Sequence, residues 1–94
     1  MPPAEIDLAL LVPAGTTVAD VERVIRATAG ELLERLDLFD QYTGPGIDAD
    51  HRSLAWRLTF RHPDRTLRDK EIEGRRSKIL GVLQQELNVR QRSA

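Results

Sequence analysis

Ninety-four residues, with 40% hydrophobic and 31% charged side chains, describe one ordinary globular domain over residues 1–94. Cysteine is absent, so disulfides and thiolate metal sites are excluded, and no apolar run approaches the ~20 residues of a membrane helix. The start, Met1-Pro2-Pro3-Ala4-Glu5, lacks the basic and apolar blocks of a signal peptide, so a cytoplasmic protein is expected.

In chain order, Ile6-Asp7-Leu8-Ala9-Leu10-Leu11-Val12 sets Ile6, Leu8, Leu10 and Val12 on one side, the period of a strand, and Pro13-Ala14-Gly15 stops it. Thr17, three residues before Asp20, forms a variant capping box. Val18, Val21, Val24, Ile25 and Ala29 then follow at helical spacing, and Gly30 ends that helix. Leu36 to Tyr42 reads as a second strand, starting as early as Leu33, and Thr43-Gly44-Pro45-Gly46 is a turn. From Ser53 to Arg61, Leu54, Trp56, Leu58 and Phe60 alternate with Ala55, Arg57, Thr59 and Arg61, which predicts a third strand ending at His62-Pro63-Asp64. A second helix runs from about Asp69 to Glu86 with Ile72, Ile79, Val82, Leu83 and Leu87 as its buried stripe, capped by Thr66 or Asp69. Leu87-Asn88-Val89-Arg90 is long enough for a short last strand.

The order is βαββαβ. Two right-handed crossovers connecting parallel neighbours give an α+β, ferredoxin-like sandwich: a four-stranded antiparallel sheet with both helices on one face and the other face open. The net charge of −1 hides an asymmetry. Residues 1–50 carry ten acids against three Arg, residues 51–94 carry eleven basic residues against five acids, and twelve of the fourteen basic residues are Arg. Arg presents a planar fork to phosphates and stacks on bases, so the basic half is compatible with nucleic-acid contact and equally with solvated helix faces.

Ser53-Leu54-Ala55-Trp56-Arg57-Leu58-Thr59-Phe60, followed by Pro63-Asp64-Arg65-Thr66-Leu67-Arg68-Asp69, resembles the signature of the ferredoxin-fold anticodon-binding domain. Asp7-Leu8-Ala9-Leu10 and the run from Glu31 to Gly44 extend the resemblance over nearly the whole chain, in order and in register. Two residues depart from the family pattern: Trp56 stands where Phe or Tyr is usual, and Arg68 stands where a capping Thr is usual. The family closes the β subunit of phenylalanyl-tRNA synthetases. The resemblance therefore implies contact with the anticodon stem-loop of the phenylalanine tRNA, within an assembly containing the rest of the β subunit and the α subunit. The α subunit carries the catalysis, so this domain is expected to be no enzyme and to need no cofactor. A protein-interaction module docking within the synthetase is the alternative.

The residues point the same way. Acylphosphatases share the βαββαβ order but need an Arg in a glycine-containing loop after the first strand, and none occurs before Arg23. His51 and His62 are eleven residues apart along an extended strand, about 36 Å, so one metal cannot bridge them. Asp37 and Asp40 lie three apart on a strand and point to opposite faces, which makes a poor acid–base pair. Trp56 and Phe60 share a face with Leu54 and Leu58 and belong to the core, unlike the exposed stacking aromatics of RRM domains. Arg57 and Arg61, about 13 Å apart on the open face, suit phosphates on either side of an unstacked nucleotide, unless they pair with second-strand acids such as Asp37. Phe39 is out of phase with Leu36 and Leu38, so either a bulge turns it inward or it is a stacking platform on the open face. Tyr42 at the strand end is a second aromatic candidate, and Arg65 matches the family signature in the loop before the second helix. Arg75, Arg76 and Lys78 read as a solvated face or a contact with the rest of the subunit.

Overall fold

The computed structural model describes residues 2–92. Strand β1 spans Ala4–Pro13, helix α1 Val18–Ala29, β2 Leu33–Tyr42, β3 His51–Phe60, α2 Asp69–Leu87 and β4 Arg90–Gln91, with a 3-10 turn at Gly30–Leu32. The sheet order is β2-β3-β1-β4 with antiparallel neighbours, as a ferredoxin-like fold requires. One expectation is corrected. The strands joined by each helix are not neighbours, because β3 lies between β1 and β2, and β1 between β3 and β4. No described helix is long and apolar enough to cross a membrane.

Alternation explains the packing. Leu8, Leu10 and Val12 of β1 and Leu54, Trp56, Leu58 and Phe60 of β3 are buried on one face, against Val21, Val24, Ile25 and Ala29 of α1 and Ile72, Ile79 and Leu83 of α2. Each large apolar side chain taken fully from water contributes about 1.5–3 kcal/mol. Trp56 is completely buried, and its indole N–H donates to the Glu22 carboxylate on α1 at 2.9 Å. That bond explains how this core takes a Trp in place of Phe or Tyr: the ring fills space and its one polar atom is satisfied.

The ends of the elements follow local chemistry. At α1, Asp20 N–H donates to the Thr17 hydroxyl and Thr17 N–H to the Asp20 carboxylate, the expected capping box. Gly30 ends that helix with φ of 76°, a conformation that favours glycine. Helix α2 starts at Asp69 as expected, but neither Thr66 nor Asp69 caps it. Arg68 occupies the N-cap position, Asp69 is already the first helical residue, and the Arg68 N–H donates to Glu71 at 3.4 Å. At the other end Leu87 stays helical and Asn88 turns left-handed (φ 56°), so the last strand is Arg90–Gln91 and not 87–90.

Candidate nucleic-acid interface

The sheet face away from the helices carries Glu5, Asp7 and Ala9 of β1, Asp37 and Asp40 of β2, and Ser53, Ala55, Arg57 and Thr59 of β3, as the register dictates. No described helix packs on it. Arg57 is on this face, as its alternation with Trp56 predicts, and its guanidinium forms a bidentate pair with Asp7 on β1, at 2.9 and 3.0 Å. The expected partner, Asp37, instead meets Arg35 at 3.5 Å. Hydrogen bonding to Arg57 lowers the Asp7 pKa, and the same bond raises that of Arg57. Arg61, one residue past β3, does find a second-strand acid: it donates to Glu34 at 2.5 Å.

Phe39 falls at a β-bulge, where the register slips between Leu38 opposite Trp56 and Asp40 opposite Ala55. The bulge does not turn the ring inward. Phe39 is 51% exposed, with the Arg57 guanidinium 5.0 Å from its centroid. Tyr42 is 38% exposed, and its hydroxyl donates to the Pro45 carbonyl at 2.9 Å. Its ring lies 5.5 Å from the guanidinium of Arg92.

Arg92 escapes a reading of the sequence, because it lies beyond the last strand and β4 is at the opposite edge from β2. The Arg92 N–H donates to Ala9 on β1, and its side chain donates to the Ser53 hydroxyl on β3 at 3.2 Å and reaches the Tyr42 ring on β2. Between those points the register sets Ala9 opposite Ala55, two small residues that leave room for a long side chain across the sheet. The Ala-x-Leu and Leu-Ala runs in the two central strands are the only sequence signal for it.

The face therefore has two zones. In one, Phe39 stands beside Arg57, and Arg57, Arg35 and Arg61 are each matched by a carboxylate. In the other, Tyr42 stands beside Arg92, and neither Arg92 nor Arg90 has an acidic partner among the described residues.

Other basic candidates are committed to the fold. Arg65 donates twice to Glu71, at 2.7 and 2.9 Å, away from the strip formed by Arg57, Phe39 and Tyr42. That bond, joined by the Arg68 N–H, holds the Glu71 carboxyl down at about 2. Arg75 is no solvated residue: its guanidinium donates to the Ala29 carbonyl, closing the end of α1. His51 and His62 stay apart at the two ends of β3. Asp48 and Asp50 of the loop before β3 do gather with His51, the first residue of that strand, a trio that residue spacing did not suggest, with His51 Nδ1 2.9 Å from Asp50.

Comparison with known proteins adds kinship to this geometry. The family model described as ferredoxin-fold anticodon binding domain matches residues 1–92. A protein of Synechococcus sp. (strain JA-3-3Ab) named phenylalanine–tRNA ligase beta subunit is 44% identical over 92 residues, 98% of this chain and 11% of that protein. Proteins of the same name from Pseudomonas fluorescens (strain Pf0-1) and Acinetobacter baylyi are 47% identical over 87 residues and 42% over 83, covering 93% and 88% of this chain. The chain thus spans about a tenth of the length of these relatives, 11% and 10% for the last two.

Proposed function

The chain belongs to the ferredoxin-fold anticodon-binding domain family, and from that premise we propose that its open sheet face binds the anticodon stem-loop of a phenylalanine-specific tRNA. On this reading it is a non-catalytic module of a phenylalanine–tRNA ligase β subunit and works in the cytoplasm without a cofactor of its own. Its protein partners are then the remainder of that subunit and the α subunit.

The observation that carries the proposal is the Tyr42 ring beside Arg92, on a face no described helix covers and with no carboxylate paired to Arg92 among the described residues. Anticodon bases are unpaired, so their flat faces are available to an aromatic ring, and such stacking contributes about 1–3 kcal/mol per base. Arg92 and Arg90 offer guanidiniums to the flanking phosphates. A phosphate oxygen costs little to admit there, because among the described residues no ion pair has to break. Phe39 provides a second platform about 10 Å along β2, three residues away. Arg57 and Arg61 can add phosphate contacts only by loosening Asp7 and Glu34, and Arg65 only by loosening Glu71.

The salt dependence of binding tests this division. Phosphate contacts from Arg90 and Arg92 alone give log K a slope of about −1.4 against log salt, at ~0.7 per contact, and recruiting Arg57 and Arg61 steepens it to about −2 to −3. A labelled anticodon stem-loop titrated at several salt concentrations reads the slope directly. A flat response refutes the electrostatic half of the proposal, and an equal response to an unrelated hairpin refutes the specific half.

A further inference from the structure

Strand β4 covers only part of β1. Gln91 pairs with Leu10 and Arg90 with Leu11, and the Arg92 N–H supplies one more bond, to the Ala9 carbonyl. Backbone groups alternate in direction along a strand, so Asp7 and Glu5 aim their N–H and C=O groups to the same side as Ala9. Among the described residues no strand meets them there. The Arg76 guanidinium of α2, 3.4 Å from the Asp7 carbonyl, reaches across that edge.

Beside the edge runs a groove of about 620 Å³, between β1 and the start of α2. Ala4, Ile6, Leu67 and Ile72 give it an apolar wall, and Glu5, Asp69 and Glu73 are exposed along it. None of these three carboxylates forms an ion pair or hydrogen bond among the described residues. The opposite edge of the sheet is protected differently: β2 is interrupted by two bulges and studded with Glu34, Arg35, Asp37 and Asp40, devices that discourage pairing. The first half of β1 is free of bulges.

We infer that this edge accepts a fifth strand from a partner polypeptide, an extended segment antiparallel to β1, in line with β4, whose basic residues alternate with apolar ones. Alternate side chains of such a strand point to opposite faces. The apolar ones enter the groove against Ile6 and Ile72. The basic ones lie opposite Glu5 on the open face, within reach of a carboxylate that makes no ion pair or hydrogen bond among the described residues. Charge argues against a second copy as occupant. Two β1 edges paired antiparallel about Ile6 would set Glu5 of one directly against Asp7 of the other, and like charges so placed are destabilising.

The test uses isotope-labelled chain and a capped peptide of alternating Lys and Val, about eight residues long, the length of an ordinary strand. Amide exchange at Glu5 and Asp7 is expected to slow saturably, by about tenfold or more at full occupancy. Arg76→Ala should leave that protection intact or strengthen it. Glu5→Lys should weaken the Lys/Val peptide by about two- to fivefold, the worth of one cross-strand pair, and favour its Glu/Val counterpart. Unchanged exchange at Glu5 and Asp7 overturns the inference. So does protection that grows with protein concentration in the absence of peptide, which would mean self-pairing, or a response confined to Tyr42 and Arg92. The inference is independent of RNA binding, and either can fail alone.

Discussion

Replacing Tyr42 separates stacking from every other role of that residue. Its ring is the surface offered to a base, while its hydroxyl holds the turn through the Pro45 carbonyl at 2.9 Å. Tyr42→Ala removes both. Loss of one stacked base costs about 1–3 kcal/mol, which weakens binding of a labelled anticodon stem-loop by about 5- to 150-fold. Tyr42→Phe keeps the ring and loses only the hydroxyl bond, worth about 0.5–1.5 kcal/mol of stability at most for so exposed a group. It should therefore melt a few degrees lower yet bind RNA nearly as well as the parent, because the Arg92 guanidinium still has a ring beneath it. Fluorescence anisotropy at fixed salt gives the affinities, and thermal unfolding of the same samples gives the stabilities. If Tyr42→Phe loses as much affinity as Tyr42→Ala, the turn matters and the ring does not. If Tyr42→Ala binds like the parent, no base stacks there and the acid-free zone is not the binding surface.

Three further outcomes follow from the same geometry. Arg57→Ala should lower RNA affinity with little change in melting temperature, and Asp7→Asn, which releases the Arg57 fork, should raise affinity; if neither moves, the pair serves only the sheet. Glu71 has its pKa lowered from 4.5 to about 2 in the folded chain, so its contribution is complete above 4.5 and lost as the pH falls toward 2. Acid titration of unfolding should show that loss in the parent and a smaller one in Glu71→Gln, and identical profiles would refute the Arg65–Glu71 cap. Glu22→Ala leaves the fully buried Trp56 indole N–H without its acceptor, an expected cost of about 1–3 kcal/mol, readable as a lower melting temperature and a shift in the fluorescence of the single Trp.

Much of this molecule is written in its local pattern. The two-residue alternation around Trp56 and Phe60 places both in the core, and the same alternation places Arg57 on the far side of the sheet. The Thr17–Asp20 box and Gly30 mark the limits of α1. These features are legible because each depends on residues within a few positions of one another, where backbone geometry alone sets the neighbours. Even the unexpected cap of α2 has a local cause: Glu71, held by Arg65 six residues away, accepts from the Arg68 N–H in place of a capping side chain.

Pairing across the sheet was legible only in part: a second-strand acid for Arg61 was among the alternatives, but the first-strand partner of Arg57 was not. Arg57 and Asp7 are 50 positions apart and Arg92 and Ser53 are 39 apart, so which acid quenches which Arg depends on the strand order. That order, β2-β3-β1-β4, sets the basic third strand between two acid-bearing strands. The charge asymmetry between the two halves of the chain is thereby largely cancelled on the open face, leaving Arg90 and Arg92 as the remainder with no acidic partner among the described residues. Composition sets how many charges the chain carries. Only the folded sheet decides which are neutralised, because Coulomb attraction and hydrogen bonding act over a few ångströms of space and not along the chain.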